Sequence, residues 1–299
     1  MKRIFSALQI LSIFILLSII VGVDSCSQQT PVDNFGGLKA SFTENAPPLN
    51  VITNQVFPIY VDIENAGDAN VNKDTAKFYL LGIGQNIQNV KASLSNSNLL
   101  DKGASERLEF ASSAKSTLEL TNPFTLSMFL TSCYKYGGRA QGDVCIASSN
   151  KSNICSISGT KSVSNSAEPV QISGLTEEIV GSKLQISFNV VNSGKGEVYL
   201  PDADCDKLFA SQTKDINEVL KNGKLKIRVN ALGEDFKCRL QMLTPPYSNL
   251  DGEEGAADLG KVTCEKTVAG IEDHPAVLRI VLDYIYVETN SQSIVITPS

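Results

Sequence analysis

Apolar and polar residues alternate along a stretch of the chain that occurs twice, as PIYVDIENAGDANV from Pro58 to Val71 and as LQISFNVVNSGKGEV from Leu184 to Val198. One constant shift aligns Ile59 with Ile186, Val61 with Phe188, Ile63 with Val190, Asn65 with Asn192, Gly67 with Gly194 and Val71 with Val198. The alternation predicts a β-strand in each copy, and the Asn-x-Gly that follows predicts a turn in which both residues can take a positive φ. The repeat therefore indicates a scaffold and not a reactive site.

The rest of the chain repeats the same order of short strands and turns, which predicts an all-β fold of two tandem antiparallel β-sandwich domains. Domain 1 is predicted over residues 35–147 and domain 2 over residues 169–299. Residues 148–168 between them are rich in Ser and Asn with little apolar periodicity, which is typical of a linker. A chain of 299 residues is long enough for each domain to bury its own core.

Each predicted domain closes with a long alternating segment. In domain 1 the alternation places Tyr134 on the apolar face and Cys133 on the opposite face. The turn-like sequence GGRAQGD then predicts a hairpin that brings Cys133 and Cys145 together across two strands. Residues 277–296 predict a similar hairpin in domain 2, with its turn at Asn290-Ser291. The alternating aromatic residues of these segments are interpreted as core: Tyr134, Tyr136, Tyr284 and Tyr286.

The chain has seven cysteines, and an even set remains when Cys26 near the N-terminus is set aside. This set consists of Cys133, Cys145, Cys155, Cys205, Cys238 and Cys264. Downstream of an export signal these cysteines are expected to form disulfides. The hairpin argument pairs Cys133 with Cys145, a turn-rich stretch pairs Cys238 with Cys264, and elimination pairs Cys155 with Cys205. The sequence contains no C-x-x-C pair, so a zinc site is not favoured.

The N-terminus carries Met1-Lys2-Arg3 and then a long apolar run, so residues 1–25 predict a signal peptide or a membrane anchor. Three interpretations remain open. Cys26 resembles the lipidated cysteine of lipoproteins, with residues 26–34 as a polar tether, although Asp24 departs from that pattern. The run is also about long enough to be an uncleaved helical anchor, and simple secretion is the third possibility. All three put the protein outside the cytosol, and the first two put it on the extracellular face of the cell envelope, held to the membrane by its N-terminus.

The charge balance excludes one class of partner. The net charge is −6, and no basic run is present to neutralise phosphates, so nucleic acid is not expected as a partner. The expected partner is a cell-envelope protein or a glycan.

Alternating acidic residues suggest one possible cofactor, a structural calcium ion. Asp202, Asp204 and Asp206 lie at alternate positions, but Lys207 stands where an EF-hand loop needs Gly. A similar ladder begins at Asp68 in domain 1. Apart from calcium, no cofactor is expected. The sequon Asn150-Lys151-Ser152 in the linker is a possible site of glycosylation.

Catalytic residues are not predicted. The carboxylates that begin at Asp251 lie on a Gly-rich tip, where paired acid and base groups lack a cleft. The single histidine, His274, precedes Pro275 in a turn-like stretch, and no G-x-S-x-G motif is present to expose a nucleophile. The chain is therefore expected not to be an enzyme.

The alternating strand that ends in Asn-x-Gly, in tandem behind an export signal, resembles the CARDB-type and immunoglobulin-like β-sandwich modules of prokaryotic, notably archaeal, cell-surface proteins. The residues that carry the resemblance are Val61-Asp62-Ile63-Glu64-Asn65-Ala66-Gly67 and Val190-Val191-Asn192-Ser193-Gly194. The resemblance implies immunoglobulin-like domains and a structural, display or adhesive role in the envelope. The alternative function is that of a surface solute- or calcium-binding protein that uses the loops inserted in domain 2.

Overall fold

The computed structural model of the protein describes residues 36–149, 152–210, 215–231, 233–240 and 257–299. Residues Phe35–Ser299 form one compact unit. The first strands are β1 (Leu38–Phe42), β2 (Asn50–Ile52), β3 (Val56–Asn65), β4 (Ala76–Leu81), β5 (Ile87–Gln88), β6 (Ser93–Ser95), β7 (Ser105–Ser116), β8 (Phe124–Ile146) and β9 (Thr160–Lys161). The later strands are β10 (Val163–Asn165), β11 (Val170–Val180), β12 (Lys183–Asn192), β13 (Glu197–Tyr199), β14 (Lys226–Ala231), β15 (Glu234–Asp235), β16 (Lys237–Leu240), β17 (Ala257–Thr267) and β18 (His274–Thr297). The helical segments are a 3₁₀ turn (Gly84–Asn86), α1 (Cys205–Phe209) and α2 (Ile216–Val219).

A nine-stranded sheet lies at the centre of the fold. Six of its strands follow the order β15-β14-β18-β8-β4-β6, while β10 pairs with β8, and β13 and β2 pair with β18. Its two longest strands, β8 and β18, are antiparallel neighbours, and every residue of β8 has a partner in β18. A strand of 23 residues spans about 75 Å when fully extended. This strand pair therefore runs through the whole sheet.

The two other sheets pack on one face of the central sheet, which we call the inner face. Side chains at even-numbered positions of β8 point to this face and are buried, namely Leu126, Met128, Leu130, Tyr134, Tyr136, Ala140, Val144 and Ile146. The four-stranded sheet β1-β3-β7-β5 covers one end, and we call this end half 1. The five-stranded sheet β16-β17-β12-β11-β9 covers the other end, which is half 2. One continuous apolar core runs through both halves.

The two halves are related by a local pseudo-twofold axis at the middle of the strand pair. Lys135 of β8 lies opposite Ile285 of β18, and the pairs on either side are Tyr134 with Tyr286 and Tyr136 with Tyr284. Rotation about this central pair exchanges Tyr134 with Tyr284 and Tyr136 with Tyr286. Each half therefore uses part of β8 and part of β18, so the last strand of the chain completes the core of the first half.

The predicted hairpins are wrong, although the predicted alternation within them is confirmed. Residues 124–146 and 274–297 are each one uninterrupted strand, with no turn at GGRAQGD or at Asn290-Ser291. The glycines of β8 serve close packing instead of a turn, since a Cβ on Gly142 would lie 2.6 Å from the Leu175 side chain of the covering sheet. Asn290 likewise stays in the strand and donates a hydrogen bond to the Ala40 carbonyl oxygen at 2.8 Å.

The predicted linker at 148–168 contributes two strands to half 2. Its strand β10 pairs with β8, and its strand β9 pairs with β11. Strands from both predicted domains share the central sheet, and the sheets are antiparallel except for the parallel pair β2 and β18. The all-β prediction is confirmed, while the tandem immunoglobulin-like domains are not confirmed.

Six cysteines form three disulfides, but only one of the predicted pairings is present. Cys238 bonds with Cys264, as expected, because β16 and β17 are antiparallel neighbours that place these two residues opposite each other. The predicted bonds of Cys133 with Cys145 and of Cys155 with Cys205 are wrong. Cys133 bonds instead with Cys205, and Cys145 bonds with Cys155, because the unbroken β8 keeps Cys133 and Cys145 far apart. Three disulfides indicate a protein that folds outside the reducing cytosol.

Several predictions concern residues outside the described ranges and stay predictions. They are the signal peptide or anchor at 1–25, lipidated Cys26, the tether at 26–34, the sequon at Asn150 and the acidic tip that begins at Asp251. Within the described ranges, no helix is long and apolar enough to cross a membrane.

Candidate functional site

The described residues of the insert in half 2, 201–210 and 215–224, pack on the outer face of the central sheet, opposite the core. The disulfide to Cys133 fastens α1 to β8, and the Phe209 ring lies 5.5 Å from the Tyr79 ring, centroid to centroid. A second apolar cluster forms here from Tyr79, Cys133, Tyr199, Leu208, Ile285 and Val287. The insert therefore covers the middle of the outer face and much of β4.

The three alternating carboxylates of the insert have separate partners. Asp204 is the N-cap of α1, where its side chain accepts the backbone N–H groups of Asp206 and Lys207. Asp206 reaches β4, where it accepts hydrogen bonds from Lys77 Nζ and, at 2.7 Å, from the Tyr79 hydroxyl.

The third carboxylate, Asp202, lies 3.6 Å from Lys221 Nζ. Among the described residues, no group of three or more His, Cys, Asp or Glu side chains is placed to hold a metal ion. The calcium site stays a prediction.

The four predicted core tyrosines form a cluster at the pseudo-twofold axis, which confirms their interpretation as core. Tyr134 and Tyr136 contact each other edge to face at 5.4 Å, and Tyr134 and Tyr286 lie 5.9 Å apart, centroid to centroid. Burial raises the pKa of all four hydroxyls, that of Tyr286 to about 12. These hydroxyls therefore stay protonated. Those of Tyr134 and Tyr286 accept the backbone N–H groups of Leu38 and Gly196, and that of Tyr136 donates to a corner loop.

The two Asn-x-Gly corners contact these tyrosines through their asparagine side chains. Tyr136 donates a hydrogen bond to Asn65 Oδ1 at 3.0 Å, and Tyr286 lies 3.4 Å from Asn192 Oδ1. The amide of Asn65 is fully buried and donates to two backbone carbonyls, those of Ala69 and Leu100. Each half is thus held to the long strand pair by an equivalent amide and phenol.

The glycines of the two corners are needed for close approach and not for a positive φ, which corrects the sequence-based reasoning. Neither Gly67 nor Gly194 has a positive φ. A Cβ on Gly67 would lie 1.9 Å from the Tyr136 hydroxyl, and one on Gly194 would lie 2.1 Å from the Tyr286 hydroxyl. The repeated motif is therefore a docking point for a tyrosine.

Sequence reasoning missed Glu168, which lies at the junction of the two halves with 1% of its surface exposed. Its Oε1 accepts the Ala69 backbone N–H at 3.1 Å, while its Oε2 is buried without a hydrogen bond in the described part of the chain. Burial raises the pKa of Glu168 to about 8, with a further increase from the charge of Asp68, and the hydrogen bond from the Ala69 backbone N–H opposes this increase. Glu168 is therefore mainly uncharged at neutral pH.

The outer face also carries an open groove beside the insert, of about 510 Å³. Its lining consists of Lys135, Pro201, Asp202, Lys226, Arg228 and Asp283. The sheet forms the floor and the insert forms one wall. Arg228 Nη2 lies 3.4 Å from Asp283 Oδ2, and the side chains are exposed by 70% and 37%.

Cationic side chains continue along the sheet beyond the groove. Arg228 and Arg139 lie in one row on either side of Val281, and Arg279 lies in the next row, opposite Gln141. The wider face also holds carboxylates, so it is of mixed charge with a local excess of cations in and around the groove. Sequence reasoning missed this site because its residues come from three strands that are distant in the chain.

His274 lies at the start of β18 opposite Ile146, not in a turn. Its Nδ1 is 2.6 Å from the Glu272 carbonyl oxygen. The neighbouring carboxylate of Asp273 accepts the Ser148 backbone N–H at 3.1 Å. These contacts fasten the end of the long strand pair.

No family model matches the chain, and no curated protein sequence matches it. Among solved structures, the chain is similar to the secreted serine protease VesC from Vibrio cholerae, at 10% sequence identity and a TM-score of 0.21. The match covers 86% of this chain and 51% of that chain, so the chain spans about half the length of the protease. A likeness at this TM-score supports no argument about fold or function.

Proposed function

We propose that the chain is a non-enzymatic protein of the cell envelope, with a structural, display or adhesive role on the extracellular face. The observation that carries the proposal is the continuous pairing of β8 with β18, which joins both halves through one unbroken ladder. Hydrogen bonds along such a pair act together, so the ladder resists bending between the halves. Such a ladder suits a protein that has to hold a surface at a fixed position.

Two disulfides hold surface segments against the central sheet. The Cys133–Cys205 bond holds the insert on the sheet. The Cys145–Cys155 bond holds the segment that was predicted as a linker against the end of β8. These bonds close loops of 72 and 10 residues, which lowers the conformational entropy of the unfolded chain. The free energy of unfolding rises by about 4 and about 3 kcal/mol as a result. Such reinforcement is typical of proteins exposed to the medium.

The proposed anchor is the segment 1–25 or a lipid on Cys26, with residues 26–34 as a polar tether. Gly36 is buried at the junction of the halves, where a Cβ on it would lie 2.1 Å from the Ala167 carbonyl oxygen and 2.6 Å from that of Ala66. The partner of the displayed surface is expected to be an envelope protein or a glycan.

Surface labelling of intact cells, followed by fractionation, tests this function. A membrane-impermeant amine reagent is expected to label the protein on whole cells, and the labelled protein is expected in the membrane fraction with its six described cysteines oxidised. A chain found unlabelled in the cytosol with free thiols would contradict the proposal. Mass spectrometry of the mature N-terminus distinguishes the anchors: a lipid mass on Cys26 identifies a lipoprotein, and an intact Met1 identifies a helical anchor.

A further inference from the structure

The pseudo-twofold axis relates the outer groove to a position in half 1 that the protein itself fills. Lys77 lies opposite Cys133 in β8, and Lys226 lies opposite the equivalent residue of β18, Asp283. In the next row of the sheet, the same pseudo-twofold axis relates Tyr79 of β4 to Arg228 of β14. The groove floor in half 2 therefore repeats the part of the outer face on which α1 lies in half 1.

In half 1 this position binds a carboxylate. Asp206 is held by Lys77 Nζ and by the Tyr79 hydroxyl, and the hydrogen bond from Lys77, the largest cause, lowers the pKa of Asp206. In half 2 the equivalent donors are Lys226 and Arg228, and the insert lies beside them instead of on them.

The cations of the groove are available for a ligand. Within the described residues, no carboxylate oxygen forms an ion pair with Lys135 or Lys226, and the one contact of Arg228, with Asp283, is long and exposed. A guanidinium has five N–H donors, so Arg228 can bind a second carboxylate. Charge-assisted hydrogen bonds of this kind are stronger than neutral ones.

We propose that this groove binds an acidic peptide segment of a partner protein, with an Asp or Glu carboxylate between Lys226 and Arg228. A peptide is favoured over an acidic glycan because the occupant of the equivalent position in half 1 is an aspartate side chain. Asp202 at the rim of the groove can accept backbone N–H groups of the same segment. The proposal rests on the display role above and specifies the chemistry of its partner.

Fluorescence anisotropy with the full-length protein and a labelled peptide rich in Asp and Glu tests the proposal. Lys226→Glu and Arg228→Glu are each expected to weaken binding at least tenfold, because a repulsive charge replaces an attractive one. Asp283→Asn is expected to strengthen binding, because it removes the competing carboxylate. Lys73→Glu, an exposed charge reversal in half 1, is the matched control and is expected to change the affinity less than twofold. Binding is also expected to weaken as salt is added.

Three outcomes would overturn the proposal. They are the absence of peptide binding by the wild-type protein, equal affinities for wild type and Lys226→Glu, and a groove-dependent affinity for an oligoglucuronate in place of the peptide. Thermal melts of every variant show whether the fold is retained, which is expected because Lys73, Lys226 and Arg228 are exposed and Asp283 is half-buried. Surface labelling of cells measures the display role separately. A failure of peptide binding can therefore be distinguished from a failure of the display role.

Discussion

The Tyr136 hydroxyl donates a hydrogen bond of 3.0 Å to the buried side chain of Asn65, across 71 residues of chain. Tyr286 and Asn192 form the pseudo-symmetric contact in half 2. These two contacts explain why the same corner occurs twice in the sequence: each corner accepts a tyrosine from the shared strand pair. The repeated sequence therefore marks the two positions at which the halves are bound to the central sheet.

Removing the Tyr136 hydroxyl is expected to destabilise the fold. Tyr136→Phe leaves Asn65 Oδ1 with the Gly67 N–H as its remaining partner, which costs about 1–2 kcal/mol in the free energy of unfolding. Denaturant unfolding followed by circular dichroism measures the loss. Tyr60→Phe, the same change at a half-buried position of β3, is the control, and equal losses at both positions would contradict the role of the Tyr136 contact.

Adding a methyl group at the corner is expected to force the tyrosine away. Gly67→Ala places a Cβ against the Tyr136 hydroxyl and 2.8 Å from the Ala167 carbonyl oxygen, and such overpacking costs about 1–3 kcal/mol. The loss in the double variant with Tyr136→Phe is expected to be smaller than the sum of the two single losses. Strict additivity in this double-mutant cycle would show that the two residues do not meet.

Glu168 is expected to make the stability fall as the pH rises. Its pKa in the folded protein is raised to about 8, whereas an unfolded glutamate titrates near 4.5. The stabilisation by the protonated Glu168 carboxyl is fully present below the pKa of the unfolded state. It is lost as the pH rises through the pKa of the folded state. The groups that face it are Asp68, Tyr136 and Tyr284, and Lys102 neutralises Asp68 from the solvent side.

Glu168→Gln keeps the shape of the protonated side chain and cannot ionise. The stability of this variant relative to wild type is therefore expected to rise by about 1.4 kcal/mol per pH unit between pH 5 and pH 8. Urea unfolding at several pH values measures this difference, with Glu109→Gln on the exposed face of β7 as the control. A difference that does not change with pH would show that Glu168 is ionised in the folded protein.

The disulfide connectivity gives a covalent test of the unbroken β8. A non-reducing peptide map is expected to join Cys133 to Cys205, Cys145 to Cys155 and Cys238 to Cys264. A peptide that joined Cys133 to Cys145 would restore the hairpin and contradict the long strand. Replacing Cys133 and Cys205 together by Ser is expected to cost about 4 kcal/mol and to expose Ile285 and Val287 under the insert.

Sequence patterns predicted the local features well. The two-residue period of a strand is a property of neighbours, so the opposite faces of Cys133 and Tyr134 followed from the alternation alone. The Cys238–Cys264 bond followed from two strands that are close in the chain. Turn signals were less informative: the glycines of GGRAQGD suggested a hairpin, although Gly142 makes room for Leu175.

Features that depend on distant parts of the chain were not accessible in this way. The pairing of β8 with β18 joins residues about 150 positions apart, and no local pattern distinguishes it from two separate hairpins. Glu168 is a single acidic residue beside Pro169, and its burial results from the approach of both halves. The groove of Lys135, Lys226 and Arg228 likewise exists because three separate strands meet.

The crossing of β18 into half 1 has a consequence for the order in which the chain can fold. Ile294 and Ile296 of β18 belong to the core of half 1, yet they lie far along the chain from the other strands of that half. Half 1 therefore keeps an open apolar face until β18 has been synthesised. The two halves fold for this reason as one cooperative unit.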